Sequence, residues 1–175
     1  MTITTRTAIG FSITGRYLTP SLQFVSTMIL ARLLTPEEIG IFSAGFTIVA
    51  LAQLFRDFGL NQYIIQEKEL SETKIRTTFT LNLLMSWTLG TLLFFSAGLI
   101  AAFFQEEGIE TLIRILSFNF FIIPFGTITL ALLRKKMRFH ITEAIGLIAT
   151  VLGISISLAT AYTGSGYLCL AYGAI

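Results

Sequence analysis

The stretch TPEEIGIFSAGFTIVALAQLFRDFGLNQYIIQEKELSETK, Thr35 to Lys74, decides how the chain is read. Thr35-Pro36-Glu37-Glu38 is a helix start: Thr35 caps, Pro36 suits the first helical position, and Glu38 answers the cap from three residues on. From Ile39 to Phe55 no residue carries a formal charge, a run of about seventeen, the short end of what crosses a bilayer. Arg56-Asp57 closes the run, and Gly59 offers a helix stop. The stretch therefore predicts a membrane-spanning helix whose closing charges sit at, or slightly inside, one membrane surface.

Composition points the same way. Of 175 residues 54% are hydrophobic and 13% charged, whereas a soluble domain carries roughly 25% charged residues. The mean hydropathy is +0.78. Sixteen Phe and fourteen Gly suit lipid-facing packing and close helix approach. The expected fold class is all-α, a polytopic transmembrane helix bundle. A net charge of +2 is too small to point to nucleic acid, so no nucleic-acid partner is expected. The single cysteine, Cys169, excludes an internal disulfide and a cysteine-based metal site. No phosphate-binding glycine loop, H-E-x-x-H or paired catalytic constellation is present, so neither an enzyme nor a cofactor or metal site is expected. His140, the one histidine, reads as an interfacial polar residue.

Six helices are predicted, at about 7–33, 36–57, 77–104, 111–133, 141–162 and a sixth, 167–175, cut off by the end of the sequence. The chain thus reads as a single membrane domain and as a fragment. In the first helix, bent near Pro20, Ser12, Arg16, Thr19, Gln23 and Ser26 share one face, which should look onto protein or water. Arg32 falls nearly opposite. In the third helix Asn82, Ser86 and Gly90 form a small, weakly polar packing seam, with Ser71 and Thr73 as candidate caps upstream. The fourth follows a short acidic loop, Gln105 to Glu110, and kinks at Pro124. In the fifth, Gly146, Thr150, Gly153, Ser157 and Ala161 repeat on one face in the small-xxx-small manner.

Basic residues fix the orientation. Arg6, Arg16, Arg56, Lys68, Lys74, Arg76, Arg134, Lys135, Lys136 and Arg138 lie on one side of an alternating topology, ten of the twelve Lys and Arg, against Arg32 and Arg114 on the other. The N-terminus is predicted to be cytoplasmic. The run RKKMR, Arg134 to Arg138, is the main topological signal, with anionic lipid heads as a second use.

Charges within helices single out candidate site residues, because an arginine at mid-membrane costs about 2.5–3.5 kcal/mol on insertion scales. Arg16 is the deepest, about nine residues or 14 Å of helix from the start of its span. Arg56 and Asp57 read either as the closing charges of the second helix or as site residues. Arg32 and Arg114 are expected to snorkel outward, and Glu143 suits the first turn of its helix.

The segment Ala31 to Phe79 resembles the first two helices of bacterial polysaccharide and O-antigen flippases, the Wzx-like branch of the multidrug/oligosaccharidyl-lipid/polysaccharide exporter superfamily. The resemblance rests on the A-R-x-L-x-P-E-E-x-G turn (Ala31, Arg32, Leu34, Pro36, Glu37, Glu38, Gly40) and the F-x-D-F-G-L-x-x-x-I-I-Q exit (Phe55, Asp57, Phe58, Gly59, Leu60, Ile64, Ile65, Gln66). It implies a multi-pass protein of the bacterial inner membrane that corresponds to most of the first lobe of a two-lobe transporter. The implied activity is export of a lipid-linked oligosaccharide, a polyprenyl pyrophosphate glycan, by alternating access. On that implication Arg16 and Arg56 are counter-charges for pyrophosphate, Asp57 restrains Arg56 or couples to a cation, and Gln23 and Gln53 donate to sugar hydroxyls. The expected partners are membrane lipids, the glycan substrate, and either a missing C-terminal lobe or a second copy in a homodimer. Two alternatives stay open: a cation-coupled drug antiporter, disfavoured by the lack of a mid-span carboxylate, and a non-transport membrane partner or inactive truncated product.

Overall fold

The computed structural model describes residues 5–56, 64, 67, 71–136, 139–164 and 166–174, with side chains from Tyr17 onward save that of Phe139. Six helices make up the described chain: α1 (Thr5–Leu33), α2 (Pro36–Arg56), α3 (Glu72–Phe104), α4 (Glu107–Lys135), α5 (Phe139–Tyr162) and the short α6 (Leu168–Gly173). Four of them, Pro36–Arg56, Glu72–Phe104, Glu107–Lys135 and His140–Tyr162, are long and apolar enough to cross a membrane. At 29 residues α1 also exceeds the length of a bilayer crossing, which is about 20 residues.

The helix boundaries follow local hydrogen bonding. Thr35 and Glu38 form the expected reciprocal cap: the Thr35 amide donates to Glu38 Oε2 at 2.8 Å and the Glu38 amide to Thr35 Oγ1 at 3.3 Å. Ser71 caps α3 by accepting from the Lys74 amide. That cap starts α3 at Glu72, five residues before the expected Thr77, so the polar residues 72–76 are helical rather than part of the connection. The expected acidic loop also contracts. Gln105 ends α3 in the left-handed conformation (φ 57°), and α4 begins at Glu107, where Glu107 and Glu110 occupy a first turn that favours carboxylates. Pro20 and Pro124 lie inside continuous helices.

The most extensive contact is the antiparallel pair α3 and α4. Asn82, Ser86 and Gly90 are buried there, as the seam predicted. Gly90 marks the closest approach: a Cβ at this position would stand 2.9 Å from Phe120 Cβ. Helix α2 runs parallel to α4, with Gly45 against Leu112 and Ile113. A core of Val49, Leu93, Ala97, Leu112, Leu116 and Phe120 fills the space among these three helices. Helix α1 packs instead along α5, turning inward Ser26 and Leu30 at helical spacing. Helix α6 wedges between α5 and α4, where Ser157 Oγ donates to the Cys169 carbonyl and Asn119 Nδ2 to the Ala174 carbonyl, both at 3.0 Å.

The outer surface is apolar. Phe95 and Leu99 are each 77% exposed and Phe103 82%, all on α3, as expected of side chains that meet lipid instead of water. Many of the hydroxyls donate to carbonyls of their own helix, as Thr27 does to Gln23, Thr47 to Ser43 and Ser155 to Val151. Such local bonds remove the cost of a bare polar group in hydrocarbon.

Charge separates between the two ends. Lys135 Nζ donates to the Ile64 and Glu67 carbonyls, and Lys74 pairs with Glu67 at 3.1 Å, so the connection after α2 and the basic exit of α4 share one end. At the other end Glu38 lies against Gly166, and Tyr167 against Gly108 of α4.

The stripe on α5 is used only in part. Gly146 faces open space, whereas a Cβ at Gly153 would lie 2.6 Å from the Gly173 carbonyl oxygen. Gly153→Ala should therefore destabilise the α5–α6 contact by about 1–3 kcal/mol. Gly146→Ala should be neutral or stabilising by up to ~1 kcal/mol. Thermal midpoints of the two variants in one detergent check this, and an unchanged midpoint for Gly153→Ala would contradict the packing.

Candidate functional site

Arg56 reaches the interior because it falls in phase with the packed face of α2. Val49 (1% exposed), Ala52 (9%) and Arg56 (6%) follow at three- and four-residue steps, so the stripe that buries aliphatic side chains also carries a guanidinium inward. Its Cζ lies 5.6 Å from the centroid of the Phe120 ring, in cation–π geometry. Phe120 is fully buried near the middle of the 29-residue α4. Helical side chains lean toward the N-terminus, and this lean takes the charge back into the bundle instead of out past the end of α2.

The closing charge of α2, expected at or slightly inside one membrane surface, thus lies beside the middle of α4. From Phe120 the basic exit at Lys135 is about fifteen residues further along α4, some 22 Å of helix. The cation lies at mid-height among apolar helices. Nearby levels of α3 and α4 bury further polar groups: Ser86 donates to Asn82 Oδ1 at 3.3 Å, and Ser117 to the Arg114 carbonyl at 2.7 Å. Beside Arg56, Phe55 joins Leu84, Met85, Thr88 and Leu89 around an open groove of about 660 Å³.

The other predicted site residues are distributed unevenly. Gln53 is half-buried one turn before Arg56. Gln23 is exposed on α1, a helix whose extensive contacts are with α5, so the structure does not bring it to Arg56. Asp57 and the side chain of Arg16 lie outside the described residues. Phe120 was not foreseen: within the run FNFF nothing in the sequence separates a ring that meets a cation from one that meets lipid. At the opposite end Arg114 does not simply snorkel. It pairs with Glu110 at 2.6 Å and lies 5.5 Å over the Phe94 ring. A cavity of about 380 Å³ there is lined by Gly98, Gln105, Glu106, Glu107 and Glu110, among others. No group of three His, Cys, Asp or Glu able to hold a metal occurs among the described residues.

Fold and site together define a multi-pass α-helical protein of the bacterial inner membrane with a cation buried between its spans. The chain belongs to the family described as "Polysaccharide biosynthesis protein", which matches residues 29–175. It is 29% identical over 141 residues to the lipopolysaccharide biosynthesis protein WzxC of Escherichia coli (strain K12), covering 81% of this chain and 29% of that protein. It is 29% identical over 131 residues to the teichuronic acid biosynthesis protein TuaB of Bacillus subtilis (strain 168), covering 75% and 27%. With the succinoglycan biosynthesis transport protein ExoT of Rhizobium meliloti (strain 1021) it shares 30% identity over 162 residues, covering 90% and 32%. The chain thus spans about three tenths of the length of these relatives. No solved structure matches it significantly.

Proposed function

We propose that the chain forms most of the first lobe of a flippase that carries a lipid-linked oligosaccharide, a polyprenyl pyrophosphate glycan, from the cytoplasmic to the periplasmic leaflet. The observation that carries this reading is the burial of Arg56 at mid-height between α2 and α4. Ionisable groups inside membrane bundles mark substrate pathways, and a guanidinium at this depth suits recognition of an anion that must cross the same depth. Pyrophosphate suits a guanidinium, which offers paired donors to two oxygens. Gln53, one turn away, is positioned on the same helix to donate to a sugar hydroxyl. Arg16, Gln23 and Asp57 complete the proposed site once α1 and a second lobe, or a second copy of the chain, close against this face. No bond of the glycan is made or broken in this reading, so the protein is a transporter and not an enzyme. The name of the relative ExoT, a succinoglycan biosynthesis transport protein, supports transport over synthesis. The carboxylates of the described residues stand at helix ends and in connections, which speaks against a cation-coupled drug antiporter.

The end that holds Lys74, Arg134, Lys135 and Lys136 is the cytoplasmic one in this reading, and the end with Glu37, Glu38, Glu106 and Glu107 is periplasmic. A reporter fused after Glu107 should behave as periplasmic and one after Lys136 as cytoplasmic; the reverse pattern would invert the orientation.

Loss of the cation tests the function itself. In a strain dependent on this gene, Arg56→Ala should lower surface polysaccharide about tenfold or more, the equivalent of one charged hydrogen-bonding partner, with the amount of protein in the membrane unchanged. Wild-type levels of surface polysaccharide would refute the assignment.

A further inference from the structure

An arginine in a membrane-spanning helix ordinarily extends its flexible stem toward the nearer surface, where the charged head reaches water. Arg56 is instead buried beside the middle of α4. The structure supplies the face of the Phe120 ring, 5.6 Å from the guanidinium carbon. We infer that Phe120 is a positioning residue whose ring holds the Arg56 guanidinium at mid-height, where an anionic group of the substrate can meet it; the inference rests on reading Arg56 as a counter-charge.

The ring is itself fixed. Phe120 is completely buried, and its backbone is drawn against α3 because Gly90 has no side chain: a Cβ there would come within 2.9 Å of Phe120 Cβ and 3.2 Å of Phe121 Cε2. Phe121 packs in turn against Trp87, with ring centroids 6.1 Å apart. A rigid ring in a water-excluded site is the setting in which a cation–π contact is strongest. The contact also uses the ring's π face and takes up none of the guanidinium's N–H donors.

The test replaces Phe120, in the full gene product and its native membrane, by mono-, di- and trifluorophenylalanine through nonsense suppression. Fluorination withdraws the negative charge of the ring face with little change in shape, so a ring that serves only as packing is indifferent to it. Two quantities are followed across the series, each normalised to protein in the membrane: surface polysaccharide, and the rate at which phenylglyoxal modifies Arg56, read by mass spectrometry. Surface polysaccharide should fall stepwise, by about tenfold at the trifluoro ring, while phenylglyoxal modification accelerates as the guanidinium leaves the ring. Either quantity staying flat across the series overturns the positioning role. The Arg56→Ala variant, measured alongside, separates this failure from that of the underlying reading: normal polysaccharide in Arg56→Ala removes the counter-charge itself, whereas loss in Arg56→Ala with a flat fluorine series removes only the part given to Phe120.

Discussion

The contact on which the bundle depends is the close approach of α3 to α4. Lipid is as apolar as a leucine side chain, so helices in a bilayer gain little by hiding apolar surface from it and must associate through fit. Asn82, Ser86 and Gly90, spaced one turn apart and all buried, give α3 a shallow face, and the large residues of α4 enter it. The depth of that entry sets the height and rotation of α4. Those in turn determine where Phe120 stands, which side of α2 can pack, and how far into the bundle Arg56 is carried. A functional coordinate is thus inherited from a packing one: a glycine on α3 governs the surroundings of a cation on α2, although the two residues are far apart in sequence.

The same economy of contact shapes the other half of the molecule. Helices α1 and α5 pair with each other, and α6 links them to the core through two side chains, Ser157 and Asn119, that donate to backbone carbonyls of its turn and exit. The link has an apolar part as well: Ala171 of α6 is buried in the core shared by α2, α3 and α4, and Cys169 packs with Leu30 and Leu34. Gln23 of α1 stays exposed.

How much of this could be read beforehand depended on which physics was acting. The existence of the helices was legible because the bilayer imposes a length on charge-free runs, and the Thr35–Glu38 and Ser71 caps were legible because capping is local. Boundaries on the polar side were misjudged where charged residues continue a helix beyond its apolar stretch: residues 72–76 and 107–110 have the composition of connections but the hydrogen bonding of first turns. The small-residue seam of α3 was found from periodicity alone, while the equivalent stripe on α5 overpredicted, since periodicity shows which residues permit close approach and not which are approached. The depth of Arg56 was beyond sequence reading for a different reason. Its place in the chain sets the height of its Cα, but the aim of its side chain and the identity of the ring beneath it depend on the register of α2 against α4. Gln23 shows the converse, a residue on the expected polar stripe whose helix rotated Thr19 and Ser26 inward and left it outside.

Lys135 illustrates how one residue can belong to two codes at once. It is counted among the basic residues that orient the chain, yet its ammonium is committed to the carbonyls of Ile64 and Glu67 and so ties the segment after α2 to the exit of α4. Arg134 and Lys136, on either side, are exposed. The topological dictionary that treats every lysine of a loop as equivalent therefore breaks down here. Neutralising Arg134 or Lys136 edits the orientation signal alone, but neutralising Lys135 also cuts a tether, and charge-reversal of the whole cluster rewrites membrane address and tertiary structure in a single stroke.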